Sequence, residues 1–252
     1  MRILLLNPNT SEGITDRLFA AAREAASPGT EIVPVTASFG VPYIATRTEA
    51  VIGAQAALEL MAEHHGRIDG AIIAAFGDPG LGACRELYDV PVVGLAEAGM
   101  LTACMLGRSF AIVTFAQALG AWYQECVQWH RLEARCAGIR MLDQPFESIE
   151  GVQEEKTELL VRLAARSVEK DGADVVVLAG APLAGLAAKV RDRIPVPVVD
   201  CAAAAIRQAE VLVGMRTRKA IAGTYRRPAA KPTRGLMPLL AARIEQREAS
   251  QL

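Results

Sequence analysis

The chain is short of the residues on which most cofactor and metal chemistry depends. It has three histidines, His64, His65 and His130, two of them adjacent, and these alone make no metal-ligand set. Neither GxGxxG nor GxxxxGK[ST] occurs, so the usual dinucleotide and P-loop phosphate cradles are excluded. The five cysteines, at positions 84, 104, 126, 136 and 201, are odd in number and lack CxxC spacing. Neither a structural zinc nor a disulfide framework is expected from them, and a reducing cytoplasm fits. Long apolar runs are also missing. "MRILLLNPNT" has four consecutive apolar residues after Arg2, short of the roughly 7–15 of a secretory h-region. No stretch approaches the roughly 18 of a membrane span. A net charge of −1 argues against a general nucleic-acid or anionic-membrane surface. The basic stretch from Arg226-Arg227 through Lys231 and Arg234 reads as a solvated tail.

What is present is apolar and regularly patterned. Of 252 residues, 52% are hydrophobic and 22% charged, enough for a sizeable core in one large domain or two smaller ones. Short apolar runs predict strands at Ile3–Leu6, Glu31–Val35, Gly70–Ala75, Val90–Gly94, Ser109–Thr114, Gly138–Leu142, Val175–Leu178 and Val196–Val199. Helical patterns lie between and after them, at Thr10–Ala26, Glu49–His64, Leu81–Glu86, Ala118–Trp129, Ser148–Lys170, Leu183–Arg193, Ala202–Leu212 and Leu236–Gln246. Alternation of this kind, with strands apolar on both faces, means α/β with parallel sheets under helices.

The two halves echo each other. "DGAIIAAFGDPGLGACRELYDVPVVGLAEAG" (69–99) and "GADVVVLAGAPLAGLAAKVRDRIPVPVVDCAAAA" (172–205) share one order. Each runs from an acidic residue through an apolar strand, a Gly/Pro turn, a helix and "VPVV" to an Ala-rich helix. "RILLLNPNT" and "SFAIVTFAQ" correspond as opening strands, and the offset is about 105 residues throughout. Two pseudo-symmetric parallel-sheet lobes are expected, residues 1–100 plus 205–252 in one and 101–204 in the other.

Ligands of open α/β sheets sit beyond the carboxyl ends of the strands, so the residues following each strand are the candidates. They are Asn7, Asn9 and Thr10; Ala75, Phe76, Gly77 and Asp78; Thr114 and Phe115; Gly180 and Ala181; and Asp200 and Cys201. Each turn opens a helix whose unpaired N–H groups suit a carboxylate, an imide oxygen or an enolate. The plainer alternatives stay open. Asn7, Asn9 and Asp200 are suitable helix caps, Asp78 in "GDPG" is a turn former, and Arg47 and Glu49 suit a surface helix start. Cys84, Cys104, Cys126 and Cys136 suit packing. Cys201 differs, because a helix N-terminus after a strand is a place that lowers a thiol pKa.

Taken together, "NPNTS", "AFGDPGL", "VPVVGLAEA", "FAIVT", "GAPLAGLA" and "PVVD" resemble the aspartate/glutamate/hydantoin racemase superfamily, most closely its hydantoin and allantoin racemase branch. The resemblance spans nearly the whole chain. It implies two α/β lobes with the site in the cleft between them. It also implies proton transfer at the carbon next to a carbonyl, without metal or organic cofactor, by one thiolate and one thiol on opposite faces of the substrate. The positions that the resemblance gives those thiols are Ala75 and Gly180 here, so both are absent.

The two residues sit in continuous native-looking segments, which speaks against a double mutant and leaves a divergent branch or other proton-transfer groups. Asp78 and Cys201 are the nearest candidates, Asp78 as a base if desolvation raises its pKa. Asp78 has no partner in "GAPLAG" to supply a proton on the opposite face. The expected function is a racemase-family isomerase of a small carboxylate, hydantoin or cyclic imide or ureide. The alternatives are a hydrolase or lyase of the same substrates, or a catalytically silent metabolite binder. A homo-oligomer is expected.

Overall fold

The computed structural model describes residues 1–247, and it resolves the alternating pattern into two sheets of four parallel strands each. The first holds β1 (Arg2–Asn7), β2 (Glu31–Thr36), β3 (Gly70–Ile73) and β4 (Val92–Gly94), in the order β2-β1-β3-β4. Helices α1 (Glu12–Ala25), α2 (Arg47–His64) and α3 (Leu81–Leu87) make its crossovers, and α4 (Leu95–Leu106) leads out of it. The second sheet holds β5 (Phe110–Thr114), β6 (Cys136–Met141), β7 (Val175–Leu178) and β8 (Val198–Asp200), in the order β6-β5-β7-β8. Its helices are α5 (Gly120–Trp129), α6 (Val152–Asp171), α7 (Leu186–Val190) and α8 (Cys201–Gly214), and α9 (Pro238–Glu245) ends the described chain. The same strand order in both halves is the repeat made structural.

The central strands β3, β5 and β7 are buried at every residue, as is the short edge strand β4, whereas edge strands β2 and β6 are partly open. Along β1 the pleat divides the side chains by period two. Ile3 and Leu5 enter a core that is continuous with the second lobe's Ile112 and Val177. Leu4 and Leu6 enter a separate core with Met61, Tyr88 and Leu240 on the far face. The lobes also exchange helices. Helix α4, leaving the first sheet, packs on β7 and β8 of the second, while α8, leaving the second, packs on β3 and β4 of the first. The two helices meet each other, and at Gly99 a Cβ would stand 2.7 Å from the Cys201 sulfur.

Several boundaries differ from the sequence expectations. Helix α1 starts two residues later than Thr10, because Ser11 is its N-cap and accepts from the Ile14 N–H. Helix α2 starts two residues earlier than Glu49, since Thr46 and Glu49 form a reciprocal capping box. The stretch read as one helix over Leu183–Arg193 is a short α7 between two 3₁₀ turns, because Gly185 takes φ +82° and interrupts it. The basic stretch is not wholly a solvated tail. Arg226, Lys231 and Arg234 are exposed. Arg227, however, pairs with Asp89 at 2.7 Å, and α9 then packs on α2 with Leu240 in the outer core.

Candidate active site

In each sheet the chain leaves one central strand toward one edge and returns to the other side, so a crevice opens beyond the central pair. Those pairs are β1 with β3 and β5 with β7. Their loops face one another across a cavity of about 20 Å³. Asn9, Tyr43, Ala75 and Phe76 line it from the first lobe, and Phe115, Tyr123, Gly180 and Ala181 from the second. That volume holds roughly a single water. The cavity is therefore too small for a larger guest unless its walls part.

Ala75 and Gly180, the positions that the resemblance gives to thiols, stand on this cavity but are not equivalent in backbone. Gly180 has φ +114°, and a Cβ there would lie 2.8 Å from Phe115 Cε1 and 3.4 Å from the Tyr123 hydroxyl. Ala75 carries its Cβ without a left-handed φ. Beyond each, the turn repeats closely: Gly80 and Gly185 take φ +81° and +82° and open α3 and α7.

Among the described residues, the N–H groups of Ala75, Phe76, Gly180 and Ala181 have no protein acceptor, and these are equivalent positions in the repeat. Asn9 turns its Oδ1 inward to accept from Asn7 Nδ2 at 2.9 Å and from the Ser11 N–H at 2.9 Å. Its Nδ2 has no hydrogen-bond partner among the described residues. Burial pushes the Tyr123 hydroxyl far up, opposed by the neighbouring Thr114 hydroxyl. Burial also raises Tyr43, with help from the Glu49 charge. Both phenols are neutral at physiological pH, so no side chain on this cavity is a ready base.

Of the residues singled out from sequence, Asn9, Ala75, Phe76, Phe115, Gly180 and Ala181 line the cavity. The others are placed around it. Asn7 is fully buried and spends its amide on Asn9, the Ser11 carbonyl and Thr15. The Thr10 N–H is taken by the Val41 carbonyl. Thr114 donates to the Ala179 carbonyl at 2.9 Å. Asp200 caps α8 through the Ala202 and Ala203 N–H groups and accepts from Gly185 N at 2.6 Å.

The two proton-transfer candidates do not line the cavity. Cys201 is buried, with its sulfur 3.4 Å from the Leu178 carbonyl. The expectation that the helix N-terminus lowers its pKa is reversed, because burial and the Asp200 and Asp78 charges hold the thiol well above its ordinary value. Asp78 turns its carboxylate away, to the N-terminus of α4, where it accepts from Ala96 N at 2.8 Å and Glu97 N at 2.9 Å. It also meets His130 Nε2 at 3.1 Å. Burial raises its pKa against these hydrogen bonds. A second hollow of about 390 Å³ opens beside it, walled by Gly77, Trp122, Cys126 and Trp129. A Cβ on Gly77, at φ +109°, would collide with the Trp122 indole.

Sequence reasoning missed Tyr43, Tyr123 and His130. Tyr123 sits in the 122/123/126/127 apolar pattern of α5, which reads as core, and Tyr43 lies in a segment with no periodicity.

The Asp/Glu/hydantoin racemase family model matches residues 3–209. A hydantoin racemase of Paenarthrobacter aurescens is 33% identical over 233 residues, covering 92% of this chain and 99% of that protein. The structure of allantoin racemase from Klebsiella pneumoniae superposes with a TM-score of 0.90 at 34% identity, covering 95% of this chain and 98% of that one. Allantoin racemase from Pseudomonas fluorescens gives 0.87 at 33% identity, covering 93% and 100%.

Proposed function

The chain belongs to the Asp/Glu/hydantoin racemase family, and from that premise we propose that it is a racemase-type isomerase of a small hydantoin-like cyclic ureide. The reaction is proton transfer at the ring carbon next to a carbonyl. The observation that carries the reading is the set of four free main-chain N–H groups, at repeat-related positions, on one inter-lobe cavity. Such donors match an enolate oxygen better than the ground-state carbonyl, and each is worth roughly a hundred- to a thousandfold in rate. Asn9 Nδ2 adds a further donor. Phe76 and Phe115 wall the ring faces.

With Ala75 and Gly180 in place of thiols, solvent hydroxide takes the proton on one face of the ring, giving water and the planar enolate, and solvent water returns a proton on the other face, releasing hydroxide. The side chains bind and orient the ring, and the amides hold the negative charge. The test is exchange in heavy water. Hydantoins substituted at the reacting carbon, and allantoin, are incubated with the protein, and the signal of that C–H is followed by NMR against a buffer blank. Loss of the signal with the ring intact is expected. No exchange, with the ligand still raising the melting temperature, makes the protein a binder and refutes the isomerase; loss of the ring makes it a hydrolase.

No helix among the described residues is long and apolar enough to cross a membrane, and the five free cysteines support a cytoplasmic placement. A homo-oligomer is supported by the outer face of α4 and α8, where Leu101, Met105, Leu106 and Val211 are exposed around an apolar groove of about 800 Å³.

A further inference from the structure

We propose that Asp78, Cys126 and His130 form a zinc(II) site that staples the two lobes together beside the cleft. A carboxylate oxygen, the thiol sulfur and an imidazole nitrogen all lie within 4.8 Å of one another. Asp78 comes from the turn after β3 in the first lobe. Cys126 is on α5 in the second lobe, and His130 follows at its end, four residues on and so on the same helix face. The three donors are therefore brought together only by the closed arrangement of the lobes.

The chemistry of the set is that of zinc rather than of calcium or magnesium, which take oxygen ligands. The His130 Nε2 to Asp78 Oδ2 distance, 3.1 Å, is close to the separation of about 3.3 Å between N and O ligands at 2.0–2.1 Å from a tetrahedral ion. Asp78 accepts two main-chain N–H groups and keeps lone pairs for a metal. The other histidine nitrogen, Nδ1, lies 3.7 Å from Glu97 Oε1. Glu97 is in turn held by Arg85, with Nη1 to Oε1 at 2.9 Å. A shift of about 1 Å brings Glu97 within hydrogen-bond reach of Nδ1, as the outer carboxylate that orients and strengthens a metal-bound imidazole. A fourth position has somewhere to open: Asp78 and Cys126 both line the 390 Å³ hollow, which gives an ion and a water a way in. One carboxylate and one thiolate would neutralise the ion's two charges, and the displaced thiol proton passes to solvent.

The site is distinct from the Ala75–Gly180 cavity, and its test does not depend on turnover. Cobalt(II) is titrated into the metal-free full-length protein and its absorption recorded. One equivalent should bind with the visible bands of a four-coordinate ion and a near-ultraviolet thiolate-to-cobalt charge-transfer band, and zinc should displace it. Cys126→Ser should abolish the charge-transfer band, whereas Cys104→Ser should leave it. Glu97→Gln should weaken binding about 10–100-fold. Absence of stoichiometric uptake, or a band that survives Cys126→Ser, overturns the proposal. Should Cys126→Ser fail to fold, X-ray absorption of the zinc-loaded wild-type protein decides instead. One sulfur with nitrogen and oxygen neighbours supports the site, and a shell without sulfur overturns it.

Discussion

Replacing Gly180 with alanine asks whether the backbone of the second lobe's turn admits a side chain at all. Gly180 sits at φ +114° and ψ 135°, a region essentially reserved for glycine, where an L-residue costs about 1–3 kcal/mol. The new Cβ would also meet Phe115 Cε1 at 2.8 Å. Phe115 is 1% exposed and stands edge-on to Phe146 at 5.6 Å, so it has little room to yield. Overpacking of this kind costs a further 1–3 kcal/mol or so. The sum, about 2–6 kcal/mol, lowers the melting temperature by roughly 4–24 °C for a chain of this size. Calorimetry on Gly180→Ala and Gly180→Cys, with Ala75→Cys as the control, reads this directly. Ala75 has no such backbone, and its cysteine variant should melt within a few degrees of wild type. A Gly180→Ala variant as stable as wild type would refute the reasoning and show that this loop accepts a side chain freely.

The exchange rate with a hydantoin should climb steadily with pH, without an inflection in the thiol range, since solvent hydroxide acts as the base; a bell-shaped profile would instead reveal a pair of titrating side chains. Glu210→Gln should lose about 1–3 kcal/mol in urea unfolding at neutral pH, because Glu210 is 8% exposed and accepts from Ser27 N at 2.7 Å, Ser27 Oγ at 2.8 Å and Thr30 Oγ1 at 2.7 Å. Burial raises its pKa, but these hydrogen bonds outweigh it and bring the net value below 4.5. The contribution is thus full above about pH 4.5 and fades as pH falls through the lower folded-state value, so wild type and variant should converge in acid. Met105→Glu, on the exposed face of α4, should shift the protein to a smaller species in sedimentation or light scattering; an unchanged mass would remove that face from the oligomer.

The fold was legible because its signals are local or repeated. Apolar runs bounded by turns marked all eight strands, and the matched "VPVV" segments with their offset disclosed the duplication that became two sheets of one strand order. Helix edges were less legible where a side chain decides them, as Thr46 and Glu49 do for α2. The site was legible only as a set of loops. That Asn9, Phe76 and Ala181 face one cavity follows from their positions after central strands. The direction in which a side chain points has no local signature. Asp78 takes φ +51° and turns to α4, and no sequence pattern tells that choice from the opposite one. His130 is joined to Asp78 across 52 positions of sequence. Three histidines counted along the chain make no ligand set, whereas one of them in the fold stands between two carboxylates.

The positions that the resemblance gives to thiols are Ala75 and Gly180 here, and with main-chain N–H groups unpaired at the same turns this separates two contributions. Acid–base groups in the transition state supply roughly a hundred- to ten-thousandfold, and each oxyanion donor roughly a hundred- to a thousandfold. Among the described residues this chain has unpaired N–H groups at four repeat-related positions and no cysteine lining the cavity. The barrier it can lower is therefore the one set by charge on oxygen, not the one set by a poor base. That restricts the substrate. In a free amino acid the adjacent carboxylate is already negative and resists a second charge, so removing the α-proton needs a strong, well-placed base. In a cyclic ureide the carbonyl is neutral and flanked by nitrogen, and the enolate delocalises into the ring. Solvent hydroxide can then act as the base once the oxygen is held, and water reprotonates the carbon. A protein with this cavity should accordingly exchange the ring C–H of hydantoins and leave aspartate and glutamate untouched; exchange of the open-chain acids at a comparable rate would mean that a base sits on the cavity after all.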